Sequence, residues 1–381
     1  MSEIPELVST PARYLPRAQF SVELRARVDE YFTSRNLNKR DLPAMYLKTG
    51  IVFAWCGLSY GGLLATSVIW QGIVLSISLG LAMAAIGFNV MHDGNHGAYS
   101  RRAWVNDAMA RSMDLLGGSA YFWRFKHNIA HHTYTNISGQ DDDLVLGKFG
   151  RLSPHDPWRR LFRFQHIYVW ALYALLAIEW QTTGEFRSLL WKRRIGLTPV
   201  PFPRPREHLL FWLGKGVFFG LAFALPLLLH PLGSVLACYA ISAVTLGSTL
   251  AVVFQLAHCV EEAHFEPPTT GGAVVEKEWA AHQTEATVNF APHSRLVTWY
   301  VGGLNYQIEH HLFPGICHMH YPALAPLVEA VCREHGIRHF THPTVGSAVR
   351  SHMRWLRAMG RAPLAAPSSA ECRPVAPCPR A

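Results

Sequence analysis

Residues 72–96 read GIVLSISLGLAMAAIGFNVMHDGNH. From Gly72 to Met91 no residue is charged, and a helix of that length, about 30 Å, spans the hydrocarbon core of a bilayer. His92 and His96 follow directly, and four residues apart on a helix they share one face. An apolar span that surfaces on two imidazoles predicts a membrane helix whose end offers a ligand pair to a metal.

A similar run at about 50–69 precedes it, separated only by Trp70-Gln71. A second pair follows at about 208–229 and 233–256, joined through His230-Pro231-Leu232. Neither short link holds Lys or Arg, whereas Arg101-Arg102, Arg159-Arg160 and Lys192-Arg193-Arg194 lie in the long intervening stretches. Positive charge stays on the cytosolic side, so the links are expected outside and both termini and the His-rich loops in the cytosol. Leu161–Trp180 is also apolar, but a third crossing after residue 130 would place the His groups near 130 and 310 on opposite faces. With Arg163, Gln165, His166 and Glu179 at its ends, it reads as an interfacial or half-inserted helix.

The expected fold is therefore all-α and integral to the membrane, with four transmembrane helices and a cytosolic helical cap. Composition agrees: 50% hydrophobic and only 16% charged residues are far from a soluble balance, while a mean hydropathy of +0.09 requires a large part in water. The net charge of +9 suits membrane orientation, and no nucleic-acid-binding signature accompanies it. Seven scattered cysteines without a C-x-x-C pair suggest neither disulfide framework nor thiolate site. Three regions are expected: a cytosolic segment 1–47 with an amphipathic helix carrying Phe20, Leu24, Val28, Tyr31 and Phe32, which packs on membrane or cap; one catalytic body 48–360; and a disordered Pro/Ala/Ser-rich tail 361–381.

Three clusters carry the chemistry: His92 with His96; His127, His131 and His132; and Gln307, His310 and His311. With 21 His in 381 residues, roughly one H-x-x-x-H arises by chance, but H-x-x-x-HH is expected only about 0.06 times. His131 and His132 point about 100° apart on a helix, so a doubled His can divide between neighbouring ions, whereas one zinc needs four ligands. His258 alone reads as a polar helix end, but it follows the fourth span as His92 follows the second, and this shared depth makes it a ninth candidate ligand. Imidazole does not choose among iron, zinc, copper and nickel. The apolar surroundings, with Trp55, Phe88, Tyr121, Phe122, Trp123 and Phe125, point to a hydrocarbon substrate and a metal–oxygen reagent. Asp93, Asn95, Glu261, Glu262, Asn305 and Glu309 neighbour these ligands and could orient imidazoles or be solvated surface. The run Asp141-Asp142-Asp143 lacks calcium-loop spacing and reads as an exposed turn, and His318 and His320 as structural or orienting groups.

At these residues, over about 44–355, the chain resembles the membrane fatty-acid desaturases, whose three boxes are H-x-x-x-H, H-x-x-x-HH and (H/Q)-x-x-HH. Gln307 at the head of the third box is the front-end and sphingolipid form. The stretches 89–97, 131–136 and 307–314 are similar to the bacterial acyl desaturases of that branch. The resemblance implies two iron ions, O2 as co-substrate, and His92, His96, His127, His131, His132, His258, His310 and His311 as ligands, with Gln307 a weaker ligand or the holder of a water or substrate. It also implies a fatty-acyl substrate linked to CoA, carrier protein or lipid. No H-P-G-G haem signature is present, so a separate donor, a ferredoxin or free cytochrome, is expected. Bacterial inner membrane is favoured over endoplasmic reticulum. The alternatives are a membrane di-iron hydroxylase or carotenoid ketolase, and, in another class, a non-enzymatic membrane metal- or haem-binding protein; the latter would place single His residues mid-span.

Overall fold

A computed structural model describes residues 11–190, 194–195, 198–269 and 274–362. The expected tail from 363 onward and Lys192-Arg193 lie outside the described residues.

Pro43 sits in the first turn of α2 (Pro43–Ala65), where its missing N–H costs nothing. Helix α2 thus starts well before the apolar run, and Met45 and Lys48 in its first turns are buried by the protein. A turn over 66–68, not Trp70-Gln71, leads into α3 (Ile69–Asn95). Near its end α3 widens into a π-helical turn, Gly87–Met91, immediately before His92. Asn89 secures that turn by donating to Ala85 O at 2.7 Å and to Tyr300 O at 2.9 Å.

Among the described residues five helices, not four, are long and apolar enough to cross a membrane: α2, α3, α4 (Arg160–Leu190), α5 (Pro205–Leu227) and α6 (Leu232–His258). The addition is α4, which continues past Trp180 through a π-helical turn. Its Val169, Tyr173 and Ala177 are buried on its α6-facing side. Without a hydrophobic driving force between helices in lipid, close backbone approach must supply the attraction. Gly80 of α3 lies so near α6 that a Cβ would meet Thr245 Cβ at 2.7 Å, and Gly247 of α6 touches α4, where a Cβ would stand 2.9 Å from Tyr173 O.

A second, helical layer covers the ends of α3 and α6. Helix α1 (Gln19–Ser34) buries Phe20 and Leu24 against Ile308, Leu312 and Val328 of α8 (Gln307–Leu312) and α9 (Tyr321–Glu334). Its apolar face is thereby filled by the protein itself. Short strands lace this layer: β1 (Arg13–Leu15) runs parallel to β2 (Val274–Glu278), and β3 (Asn289–Phe290) parallel to β4 (Thr341–His342). Helix α7 (Trp279–Ala286) follows β2, and α10 (Val345–Met359) ends the described chain behind a Thr344–Ser347 capping box.

Candidate metal centre

Four separate parts of the chain bring their imidazoles to one place. His92 and His96 come from the end of α3, His258 from the end of α6, and His310 and His311 from the buried α8. His127 and His131 lie on a π-helical segment, Arg124–His131, rather than the α-helix that their spacing predicts. The wider turn stacks their rings 5.2 Å apart at 23°, and His132 turns away at 83° to His131.

The ring nitrogens fall into two foci. His92, His96, His127 and His310 each offer one within 4.8 Å of the others, and His131, His258 and His311 do the same beside them. His132 lies between, grouped with both His310 and His311. Its Nε2 is 3.2 Å from His127 Nε2 and 3.0 Å from His310 Nε2, and His92 Nε2 is 3.3 Å from His127 Nε2. Only one nitrogen of such a pair can donate a proton, so this web leaves lone pairs converging. The Nε2 atoms of His96 and His311 are buried without a partner. Gln307 Nε2 stands 3.0 Å from His258 Nε2, and reversing its amide would turn the oxygen to the same point.

Burial without counter-charge holds His96, His127, His132, His310 and His311 well below the ordinary imidazole range. They are neutral and free to bind a cation, so the donor set fits metal ions. His131 differs: burial works against its charge, but the charge and hydrogen bond of Asp141, together with Asp143, outweigh it and raise its pKa.

The groups that orient these rings are largely ones the sequence did not mark. Asp141 accepts from His131 Nδ1 at 3.1 Å and from the backbone N–H of Asn136 and Asp143 at 2.9 and 3.0 Å. It is 1% exposed, which corrects the reading of Asp141-Asp142-Asp143 as an exposed turn. Gln283 Oε1 is 2.7 Å from His311 Nδ1 and also accepts from Thr135 Oγ1 at 2.8 Å; Tyr321 OH is 3.3 Å from His310 Nδ1. Asn136, in the left-handed region at φ 55°, donates to the carbonyls of His258, His264 and Ala286 and so ties the second His group to the end of α6. Lys126 pairs with Asp143 at 3.1 Å and lies over the Trp180 ring.

The six polar neighbours singled out from sequence face other partners: Asp93, Asn95 and Glu309 stand next to a ligand and point about 100° away from it, whereas Glu261 and Glu262 lie beyond the end of α6 and Asn305 ahead of α8. Asp93 takes His318 Nδ1 at 2.9 Å, and Lys48 Nζ lies 3.0 Å from the far nitrogen of that ring. Asn95 accepts from Arg124 at 2.9 Å, Glu261 from Arg354 at 2.6 Å, and Glu262 pairs with His342 at 3.1 Å. Asn305 donates to Thr298 at 3.1 Å, and Glu309 accepts from Asn289 at 2.8 Å. His320 lies 2.9 Å from Asn38 O.

The model of the family described as fatty acid desaturase matches residues 67–343 of this chain. An sn-1 linoleoyl-lipid 6-desaturase of Arthrospira platensis is 38% identical over 343 residues, 89% of this chain and 92% of that protein. A second enzyme of that description, from Synechocystis, is 37% identical over 93% of this chain and 99% of its own length. An acyl-lipid (8-3)-desaturase of Physcomitrium patens is 35% identical over 90% of this chain and 72% of its own length.

Proposed function

This chain belongs to the fatty acid desaturase family and is a fatty-acyl desaturase of the membrane, and from that premise we propose that it acts on lipid-linked acyl chains through two irons held by its histidines. The observation that carries this reading is the convergence of eight imidazoles from four parts of the chain into two foci at the ends of α3 and α6. His92, His96, His127 and His310 would hold one ion, and His131, His258 and His311 the other, with His132 between them and Gln307 beside His258. Such a pair of reduced irons supplies O2 activation: with two electrons and two protons, two adjacent C–H bonds give up their hydrogens, a C=C bond forms, and O2 leaves as two waters.

The chain's own part is to fix and dry the site. Asp141, Gln283 and Tyr321 hold the rings of His131, His311 and His310 from behind. Met91, Phe88, Trp123 and Phe254 wall the approach to His92 with apolar surface, which excludes water from the reacting carbons. The lipid-linked substrate is supported by the relatives' descriptions, and the Gln307 form supports attack on the carboxyl side of existing double bonds.

Parity supports four crossings. Helices α4, α5 and α6 all lie between His132 and His258, which meet in one centre, so an even number of them crosses. Helix α4 is the one that returns: its Gln165 is bonded to Arg151 O at 2.8 Å and Leu356 O at 2.9 Å in the helical layer, and Tyr173 to His352 at 3.1 Å. The uncharged turns 66–68 and 228–231 would face outward, leaving the metal centre cytosolic within one body over 48–360, in a bacterial inner membrane. A separate acidic donor, ferredoxin or free cytochrome, would deliver electrons to that basic face.

The test is mass spectrometry of total fatty acids from a host expressing wild type or His131→Ala with a compatible donor. A new double bond seen with wild type alone is expected; a hydroxy acid, or no product from any acyl chain, overturns the reading.

A further inference from the structure

Strand β1 has two faces, since alternate residues of a strand point opposite ways. Tyr14 points inward: its OH donates to Thr133 O at 2.5 Å, and its ring lies 5.4 Å from that of His282. Arg13 and Leu15 point outward and are exposed, and so is Val274, which lies beside Arg13 on the neighbouring strand β2. Arg17 follows and is exposed as well. At the end of β2, Glu278 accepts from the backbone N–H of Ala18 at 2.7 Å and from Ser21 Oγ at 2.6 Å, which ties the start of α1 to this edge. Trp279 comes next. It packs half-buried on the cluster of Phe20, Leu24 and Ile308 and donates its indole N–H to His132 O at 3.1 Å.

Two aromatic side chains thus hold consecutive carbonyls, Trp279 that of His132 and Tyr14 that of Thr133. His132 is the ring grouped with both His310 and His311, between the two foci. From the indole an electron crosses one hydrogen bond and then follows the covalent bonds of a single residue to that imidazole. Aromatic rings bridge such a gap better than saturated side chains, because their π levels lie nearer in energy to the transferring electron. We infer that the outer face of β1 is where the one-electron donor docks, and that Trp279 passes the electron from it to His132. This rests on the desaturase reading above and its separate acidic donor. Each encounter oxidises an iron–sulfur or haem carrier by one electron and reduces one ferric ion to ferrous, so two encounters supply the electron pair that turns O2 into water.

Charge favours this face over another short approach. The Asp143 side chain is 34% exposed and 3.5 Å from His131 Nδ1, so it too links solvent to a ligand. Asp142 stands beside it, however, and the one cation that meets them, Lys126, is shared at 3.8 and 3.1 Å, so an acidic donor is repelled there. On the β1 face, Arg13 and Arg17 outnumber Glu276, the exposed carboxylate on the outer side of β2. Leu15 and Val274, 47% and 48% exposed, add the apolar contact that a docking surface uses at its centre. They stand on the helical layer and belong to none of the five long apolar helices.

The experiment separates the donor from the metal. Iron-loaded protein in detergent is mixed with reduced ferredoxin, and the change from ferric to ferrous is followed by stopped-flow absorbance; dithionite replaces ferredoxin in a second series. Trp279→Leu is expected to slow reduction by ferredoxin at least tenfold, and Trp279→Phe, which keeps a ring, to slow it less. Both should leave reduction by dithionite and iron per chain within twofold of wild type. Arg13→Glu combined with Arg17→Glu, at exposed positions, is expected to raise the ferredoxin concentration for half-maximal rate at least tenfold. In Arg17→Lys, a carbodiimide is expected to couple ferredoxin at residue 17 and not at exposed Lys148. Equal ferredoxin rates in wild type, Trp279→Leu and the double glutamate variant, or coupling at Lys148 alone, overturn the proposal and leave the desaturase reading in place. Slowing of both reductants together, or loss of iron, in the Trp279 variants overturns the electron path. A wild type that binds no iron overturns the desaturase reading and this proposal with it.

Discussion

Replacing Asp141 by Asn tests whether the buried carboxylate behind His131 governs metal retention. Asp141 makes three contacts that an amide cannot reproduce together: His131 Nδ1 at 3.1 Å and two backbone N–H groups at 2.9 and 3.0 Å. Asn keeps one oxygen and turns an NH2 toward a donor, leaving one buried N–H unmatched at about 1–3 kcal/mol of stability. Losing the carboxylate behind a ligating imidazole lowers metal affinity about 10–100-fold, equivalent to about 1.4–2.8 kcal/mol. The assay is iron per chain in detergent-purified protein dialysed against graded chelator, with thermal unfolding measured on the same samples. Asp142→Asn is the control, since among the described residues the Asp142 carboxylate pairs only with Lys126, at 3.8 Å, and metal retention should stay within twofold of wild type. If Asp141→Asn holds iron within twofold of wild type while His131→Ala loses it, the carboxylate does not govern that ligand.

Three further outcomes follow from other parts of the molecule. Burial pushes His352 down to about 4, partly opposed by its bond to Cys259 O, so the folded protein keeps it neutral while the unfolded chain protonates near 6.5. Its contribution, about 3 kcal/mol, is present above pH 6.5 and lost as pH falls toward 4; His352→Gln should shrink the drop in unfolding temperature between pH 7.5 and 5, and an unaltered drop refutes this. Tyr14→Phe removes a 2.5 Å bond to Thr133 O beside the second His cluster and should cost about 1 kcal/mol in thermal unfolding, with no change in unfolding temperature counting against the β1 strap. Turnover with a purified acidic donor should fall as salt rises through the range where the Debye length shrinks below about 10 Å; a salt-independent rate argues against electrostatic docking.

The candidate ligands could be named from sequence because most of them stand in three short motifs, although His127 and His131 share a side through a π-helical turn that the spacing does not announce, and His258 stands alone at the end of its helix. The supporting groups could not. Asp141 looked like surface since three carboxylates in a row have no reason to be buried until His131 is packed on the first of them. Gln283 and Tyr321 sit on helices with no motif and meet His311 and His310 only through the fold. Apolar runs located the spans, but α2 starts at Pro43 because protein, not lipid, buries Met45 and Lys48. The π-helical turns before His92 and around His127 have no signature in hydrophobic pattern, and only tertiary bonds such as Asn89 to Tyr300 O reveal why the widened turn persists.

Gly80 and Gly247 act as fulcrums. Gly80 lies 12 residues before His92, in the last turn of α3, and Gly247 lies 11 before His258, which ends α6, a lever arm of about 17 Å. A Cβ at Gly80 would have to push Thr245 away from 2.7 Å, and a rigid helix carries that splay to its tip, where His92 and His258 would separate by a comparable amount. A single methyl placed far from the histidines, touching none of them, thus reaches the candidate centre as surely as a change beside it, and the spacing of the two histidine groups is set by backbones in contact far below it.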